Sequence, residues 1–286
     1  MDFLHPDSWD EALAIKSERP AAVPIAGGTD LMVDLNFDRR RPDALLDLTG
    51  VPELAGWERV DGSVRIGAGV PFSRIVTEIG QMAPGLAIAS RTVGSPQIRN
   101  RGTLGGNLGT ATPAGDALPP LVASGASAEV ASTSGARTVA VRDFFRGPKR
   151  SVLEPDELIR AVRVPIADGP QQFAKIGTRN AMVISVCGFA IALHPTSRLV
   201  SGCIGSAGPT VLPTAEADAF LADALDWADR APLEAGVTAR FGELVAAAAR
   251  PIDDVRGSAD YRRHALAVLA RRTLTWAWDE YRGAAG

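Results

Sequence analysis

The sequence predicts an α+β fold in three parts, and three changes of pattern along the chain support this prediction. Up to about residue 55, short apolar strand patterns alternate with helical ones, which is typical of a small α/β unit. The next stretch differs, because alternating strand patterns lie on both sides of several helical segments. In the last third, strands come first and amphipathic helices follow. We therefore expect domains at residues 1–55, 56–168 and 169–286.

The first part begins with a helical pattern from residue 8 to residue 14, for which Ser8 is the expected N-cap. Apolar strands are predicted at residues 22–26 and 44–48, with a short helix at residues 31–36 between them. Thr29 precedes this helix and is its candidate N-cap. This alternation of strand and helix is the reason for assigning an α/β unit here.

The second and third parts differ in the order of their strands and helices. An Asp61-Gly62 turn precedes the first strand of the second part, and residues 103–116 are predicted to form a glycine-rich loop. In the second part, strands are predicted at residues 63–68, 128–131, 137–141 and 157–164, and helices at residues 72–79, 85–92 and 117–124. In the third part, strands are predicted at residues 173–175, 183–193 and 203–208, and helices at residues 215–228, 237–250 and 261–281.

The composition favours a folded protein and excludes several classes of partner. The chain has 286 residues, of which 46% are hydrophobic and 22% are charged, so a sizeable core can form. Its net charge is −3 and its longest basic run is three arginines, which argues against a nucleic-acid partner. Met1 is followed at once by Asp2, and no run of about 20 apolar residues occurs, so we expect a cytoplasmic protein without a membrane span.

Side chains that commonly carry catalysis do not occur in the patterns that catalysis requires. The sequence has no GxxxxGK[ST] phosphate loop, no Rossmann GxGxxG motif and no GxSxG nucleophile turn. Its two cysteines are too few to hold an iron–sulfur cluster, and its three histidines are scattered, so no metal site is predicted. We therefore expect no catalytic side chain in this chain, and a bound cofactor that carries the chemistry.

Two glycine-rich segments are the strongest functional signal in the sequence. The first glycine turn spans residues 24–32, PIAGGTDLM, and the second glycine segment spans residues 103–116, TLGGNLGTATPAGD. Glycine pairs let the backbone approach a diphosphate without side-chain obstruction, and successive main-chain N–H groups form a concavity that binds anions. A helix that begins directly after such a turn adds its own free N–H groups. We therefore expect the two segments to meet in the fold and hold one dinucleotide between them.

Four separated motifs resemble those of one known family. The first is AGGTD at residues 26–30, and the second runs from QIRN at residues 97–100 through TLGGN to PAGD further on. The third is Lys175 followed by Arg179 on a strand, and the fourth is DVRGSADYR at residues 254–262. Together they make nearly the whole chain similar to the FAD-binding medium subunits of molybdenum hydroxylases, the xanthine dehydrogenase and carbon monoxide dehydrogenase group.

This resemblance implies a fold and a binding site. The implied fold has two α/β subdomains that form an FAD-binding domain of the PCMH type. A C-terminal domain follows, with a three-stranded antiparallel sheet packed on a helical bundle. Hydroxyl and amide side chains of both glycine segments would bond phosphate or flavin, Asp116 would hold a ribitol, ribose or flavin polar group, and Ile159 would cover the cofactor. Lys175 would lie by the pyrimidine end of the flavin, where a cation favours the reduced anionic ring. The residues that the resemblance assigns to FAD binding are Ile25, Ala26, Gly27, Gly28, Thr29, Asp30, Leu31, Thr103, Gly105, Gly106, Asn107, Thr110, Asp116, Ile159 and Lys175.

The resemblance also implies a function in electron transfer. A large partner subunit with a molybdopterin cofactor would hydroxylate the substrate, and a small partner subunit with [2Fe–2S] clusters would pass the electrons to FAD. Because the first glycine turn reads GGTD, where carbon monoxide dehydrogenase subunits more often show GGHS, a xanthine dehydrogenase-like complex with NAD⁺ as acceptor is favoured. The alternatives are a carbon monoxide dehydrogenase-like complex, an aromatic heterocycle or aldehyde hydroxylase, a self-sufficient FAD oxidase and a cofactor-free binding module.

Overall fold

The first sheet of the protein is small and parallel. The computed structural model describes residues 1–283. In the first part the chain forms, in order, β1 (Asp2–Leu4), α1 (Trp9–Glu18), β2 (Val23–Ile25), α2 (Leu31–Asn36) and β3 (Ala44–Asp47). The three strands are parallel and pair in the order β1-β3-β2. The first glycine turn therefore leaves the sheet at the carboxyl end of a parallel strand, where α/β sheets commonly bind ligands.

The second sheet is antiparallel, and a series of helices lies between two of its strands. Its region contains β4 (Trp57–Val60), β5 (Ser63–Gly67), α3 (Phe72–Arg74), α4 (Pro84–Thr92), α5 (Pro96–Arg101), α6 (Leu104–Thr110), α7 (Leu118–Ala123), β6 (Ser127–Ser132), β7 (Gly135–Ala140), β8 (Phe145–Gly147), β9 (Arg150–Ser151) and β10 (Leu158–Pro165). The strands pair in the order β4-β5-β10-β6-β7, and β8 and β9 form a separate hairpin. One hydrophobic core joins Trp9 of α1 to Leu104 and Leu108 of α6, so this core anchors the second glycine segment.

The third region consists of a sheet covered by long helices. Its elements are β11 (Gln171–Ile176), β12 (Cys187–His194), β13 (Leu199–Gly205), β14 (Leu212–Pro213), α8 (Ala215–Ala224), α9 (Ala235–Ala248) and α10 (Ala259–Gly283). The strands are antiparallel in the order β11-β12-β13-β14, and a second core contains the fully buried Phe189, Phe241 and Trp278. The predicted fold class is confirmed, with the short β14 as a fourth strand. The boundaries predicted at residues 55 and 168 stay predictions.

The second glycine segment is helical where the sequence predicts a loop. Residues 104–110 form α6, and Thr103 caps this helix because its hydroxyl oxygen accepts the N–H of Gly106 at 3.0 Å. The apolar side of the helix, Leu104 and Leu108, is fully buried. Glycine disfavours a helix by about 1 kcal/mol per residue, and tertiary packing stabilises most protein helices. Packing and the cap therefore outweigh the low helix propensity of the glycines. That low propensity is the reason why the sequence predicts a loop here.

The N-cap predicted for α2 is also wrong. Asp30, and not Thr29, occupies the cap position, and its carboxylate accepts no hydrogen bond from the helix. Thr29 instead faces the second region, where its Oγ1 lies 3.2 Å from the position of a Cβ built on Gly102. A cap contributes only about 1 kcal/mol, so a contact between two parts of the chain can replace it.

A half-buried aspartate lies between α8 and β13. Asp218 Oδ1 accepts a hydrogen bond from Thr214 Oγ1 at 2.9 Å. Gly202 of β13 lies opposite, and a Cβ built there would come within 2.9 Å of the same oxygen. Burial raises the pKa of Asp218 from its ordinary 3.8 to about 7, although hydrogen bonds from the Gly202 main chain and Thr214 act against this shift. The folded protein therefore holds a proton here at pH values where the unfolded chain has released it.

Asp218→Asn is expected to change how stability depends on pH. Since the folded-state pKa lies above the unfolded value, Asp218 destabilises the wild-type fold increasingly as the pH rises from about 4 to about 7. The variant removes this loss, so its stability relative to wild type is expected to rise between these pH values by at most about 4 kcal/mol. Urea unfolding at acidic and alkaline pH measures the difference, and Asp223→Asn, exposed on the same helix, is the control. An unchanged pH slope in Asp218→Asn would contradict the raised pKa.

Candidate cofactor site

The two glycine segments meet in the fold. Gly27 packs on the main chain that precedes Thr103: a Cβ built on Gly27 would lie 1.9 Å from the carbonyl oxygen of Arg101 and 2.9 Å from Cα of Gly102. No side chain fits at such a distance, so the contact requires glycine. Gly28 has a φ of +72°, in the left-handed region that glycine adopts readily. The first glycine turn is therefore held directly against the start of the second segment.

The second glycine segment is fixed from its other side by the loop of residues 68–71. The N–H of Gly105 donates to the carbonyl oxygen of Ala68 at 3.0 Å, and that of Leu104 donates to the carbonyl oxygen of Val70 at 3.1 Å. A Cβ built on Gly105 would lie 2.5 Å from the Cβ of Ala68. The missing side chain of the buried Gly105 therefore lets α6 lie close against this loop.

One face of α6 leaves its main chain exposed. Gly106 and Gly109 are exposed on this face. A Cβ built on Gly106 would lie 3.0 Å from Thr103 Oγ1, and one built on Gly109 would lie 3.5 Å from Ile159 Cδ1. The Thr110 hydroxyl donates to the carbonyl oxygen of Gly106 at 2.9 Å. Ile159 therefore borders an exposed glycine surface that has room for a ligand next to the helix backbone.

Asn107 carries a buried oxygen without a partner. Within residues 1–283, its Oδ1 is one of three buried side-chain atoms that make no hydrogen bond; the others belong to Ser206 and Arg262. Leaving such a group unpaired costs about 1–3 kcal/mol. The oxygen faces Gly115, from whose built Cβ it lies 3.1 Å away. A ribitol or ribose hydroxyl is a suitable donor to this acceptor, so Asn107 fits a bound dinucleotide.

Asp116 and Lys175 bind each other in a polar cluster that also contains Ser185 and Thr92. Lys175 Nζ donates to Asp116 Oδ2 at 2.5 Å, and to the carbonyl oxygens of Thr92 and Val183 at 3.0 and 3.2 Å. Ser185 Oγ donates to Asp116 Oδ1 at 2.5 Å. Burial raises the pKa of Asp116, and the Lys175 ammonium acts against that shift. Each of the three ammonium hydrogens of Lys175 thus has an acceptor.

Two members of this polar cluster, Thr92 and Ser185, belong to no motif in the sequence. Thr92 ends α4, and Ser185 lies just before β12. Ser185 is 3% exposed within an apolar run, and a buried hydroxyl is expected to have a hydrogen-bond partner. That expectation is the only local signal for Ser185, and Thr92 has none. The cluster adjoins the glycine surface, because Gly115 precedes Asp116 and faces Asn107.

The remaining predicted residues lie along the first glycine turn. Ile25 ends β2, and Ala26, Thr29 and Leu31 are half-buried, whereas Asp30 is exposed. The structure therefore brings this turn, α6 and the polar cluster into adjoining positions. The contacts of these residues with a cofactor stay predictions.

The described part of the chain has no arrangement typical of a metal centre. In residues 1–283, no group of three or more His, Cys, Asp or Glu side chains is placed to hold a metal ion. Over the same residues, no helix combines the length and the apolar character that crossing a bilayer requires.

Comparison with known proteins gives matches over most of the chain. The family model described as "FAD binding domain in molybdopterin dehydrogenase" matches residues 1–167, and the one described as "CO dehydrogenase flavoprotein C-terminal domain" matches residues 172–277. The nicotine 6-hydroxylase medium subunit of Paenarthrobacter nicotinovorans is 30% identical over 95% of each chain. A putative xanthine dehydrogenase FAD-binding subunit of Escherichia coli is 29% identical over 93% of this chain and 91% of the relative. The structure of reconstituted CO dehydrogenase from Oligotropha carboxidovorans is similar with a TM-score of 0.89 at 27% identity, over 98% of each chain.

Proposed function

The chain belongs to the family of FAD-binding medium subunits of molybdenum hydroxylases, and we propose that it passes electrons from partner [2Fe–2S] clusters through FAD to an acceptor. In this proposal, a small partner subunit carries the clusters. A large partner subunit carries the molybdopterin cofactor at which the substrate is hydroxylated. Bound FAD supplies the capacity to take up and release electrons. The residues of this chain bind FAD, orient it and exclude water, and none of them acts as an acid, a base or a nucleophile.

The observation that carries this proposal is the backbone contact between the two glycine segments. Gly27 packs on the main chain of Arg101 and Gly102, so the first glycine turn lies next to the start of α6. Two neighbouring stretches of accessible main chain suit the oxygens of one diphosphate. The residues proposed to bind FAD are Ile25, Ala26, Gly27, Gly28, Thr29, Asp30, Leu31, Thr103, Gly105, Gly106, Asn107, Thr110, Asp116, Ile159 and Lys175.

The side chains of the site have distinct proposed roles. Asn107 Oδ1, which has no partner within the described chain, would accept a hydroxyl of the ribitol or ribose. Ile159 would cover the ligand beside Gly109 and keep water from the helix backbone. Lys175 would place a positive charge at a fixed point, because Asp116 and two carbonyl oxygens hold its ammonium group. A fixed cation next to the flavin favours electron uptake.

We further propose that the complex is of the xanthine dehydrogenase type, acts on a nitrogen-containing aromatic heterocycle and uses NAD⁺ as acceptor. The GGTD sequence of the first glycine turn supports this choice. Nicotine and xanthine, for which two of the relatives are named, are both heterocycles of this class. A carbon monoxide dehydrogenase-like complex is the second candidate, and the structural similarity to CO dehydrogenase favours it.

Purification of the natural complex through a tag on this chain tests the proposal. We expect a small and a large subunit to copurify, and a flavin band near ~450 nm to be present. Anaerobic xanthine or nicotine is expected to bleach the band, because electrons reach FAD through the partner clusters, and NAD⁺ is expected to restore it. Carbon monoxide in place of the heterocycles is the matched comparison.

Each other outcome selects a different function. Bleaching by carbon monoxide alone would support the second candidate. Turnover of small alcohols by the flavin-containing chain without partner subunits would indicate a self-sufficient oxidase. A complete absence of flavin from the folded chain would indicate a cofactor-free binding module and would refute the proposal.

A further inference from the structure

Helix α2, which follows the first glycine turn, is loosely attached to the rest of the protein. None of its residues is buried, and Met32 and Val33 are 42% and 44% exposed. Within residues 1–283, all hydrogen bonds of residues 28–41 but one join two residues of that same segment. The exception joins Asp34 Oδ2 to Lys149 Nζ at 3.2 Å. Within the described chain, this ion pair is therefore the one hydrogen-bonded link between α2 and the residues outside its own segment.

Lys149 is itself held against the C-terminal end of α6, within the second glycine segment. It lies in the turn between β8 and β9, and its main-chain N–H donates to the carbonyl oxygen of Ala111 at 3.0 Å. Ala111 directly follows α6. Lys149 and Ala111 have φ values of +55° and +49°, which residues other than glycine rarely adopt. Such strain persists only where the surrounding structure fixes it, and it is common where ligands are held.

We infer that Lys149 is a positioning residue that holds α2 and the first glycine turn at a set distance from α6, and thereby raises the affinity for FAD. Its main chain is hydrogen-bonded to the end of α6, and its side chain is bonded to α2, so one residue connects the two elements that follow and contain the glycine segments. A binding surface that is ordered before binding loses less conformational freedom when the ligand arrives. The part of this inference that concerns FAD rests on the proposed function.

Charge exchange between Lys149 and Asp34 is the first test. In the full-length chain, Lys149→Met is expected to raise the Kd of FAD about two- to five-fold, as for the loss of one exposed ion pair. Lys149→Glu places two carboxylates together and is expected to raise it about ten-fold. The double variant Lys149→Glu with Asp34→Lys is expected to return to within about two-fold of wild type. Arg240→Met, which breaks a pair of the same 3.2 Å N–O distance on α9, is the control and is expected to leave the Kd unchanged.

Amide hydrogen exchange in the FAD-free chain is the second test, and it does not depend on the cofactor. Exchange at residues 31–37 is expected to become about two- to five-fold faster in Lys149→Met and to return to the wild-type rate in the double variant. If the Kd changes while this exchange stays the same, Lys149 acts on FAD directly and the inference is wrong. If wild type binds no FAD, the proposed function fails. The positioning role is tested separately: if Lys149→Met leaves the exchange at residues 31–37 unchanged, that role is wrong whether or not FAD binds.

Discussion

Replacing Lys175 with methionine is expected to lower the free energy of unfolding by about 3–5 kcal/mol, as is usual when one partner of a buried ion pair is removed. The Asp116 side chain is 9% exposed, and only the hydroxyls of Ser185 and Thr92 would remain as its donors. Burial already raises the pKa of Asp116. Without the ammonium group that pKa rises further, so the folded variant binds a proton that the unfolded chain has lost. The destabilisation is therefore expected to grow as the pH rises above about 4, the ordinary pKa of an aspartate.

Urea unfolding of the single and double variants measures this effect. Combining Lys175→Met with Asp116→Asn leaves no buried charge, so most of the lost stability is expected to return. Arg240→Met, which breaks an exposed pair with Glu243, is expected to change the free energy of unfolding by less than about 1 kcal/mol. If Lys175→Met also lowers the free energy of unfolding by less than about 1 kcal/mol, Asp116 does not depend on the Lys175 ammonium group as a buried counter-ion.

The same double variant separates the structural role of Lys175 from its proposed role beside the flavin. Lys175→Met and the double variant both lack the ammonium group, but only the double variant is expected to regain stability. If the cation favours electron uptake, the potential of bound FAD is lowered in the double variant as well. A wild-type potential in the double variant would leave Lys175 as a residue that only joins β11 to the FAD-binding region.

Local patterns in the sequence predict much of this fold because they depend on neighbouring residues. The helix predicted at residues 31–36 agrees with α2, and Ser8 caps α1 as expected. The Asp61-Gly62 turn joins β4 to β5, with φ values of +47° and +69° that suit a tight hairpin turn. In each case, a cap, an apolar period or a turn residue is sufficient to predict the element.

The parts that the sequence does not reveal depend on contacts between distant residues. The glycine content of α6 conceals a helix that packing stabilises, and Thr29 lies beside Gly102 instead of capping α2. Lys149 contacts a residue 115 positions away, and Ser185 contacts one 69 positions away. No periodicity or motif marks such pairs in a single sequence. The two glycine segments could be expected to meet only because both suit the same ligand.

Gly106→Val is expected to abolish FAD binding while the chain stays folded. Gly106 is exposed on α6, and apart from the backbone of its own helix, Thr103 Oγ1, at 3.0 Å, is the only atom of residues 1–283 within 4 Å of its built Cβ. Valine is no worse than glycine in a helix, so the free energy of unfolding is expected to change by less than about 1 kcal/mol. The branched side chain would stand where a diphosphate has to approach the backbone. We therefore expect the Kd of FAD to rise at least about 100-fold, which corresponds to about 2.7 kcal/mol.

Two other glycine substitutions make this test specific. Gly105→Val is expected to unfold the chain, because its Cβ would lie 2.5 Å from the Cβ of Ala68. Gly236→Val on α9, where a built Cβ meets nothing within 4 Å, is expected to preserve both stability and FAD binding. Flavin absorbance per chain after gel filtration, together with thermal unfolding, measures both properties. Full flavin occupancy in Gly106→Val would mean that the diphosphate does not lie on the exposed face of α6.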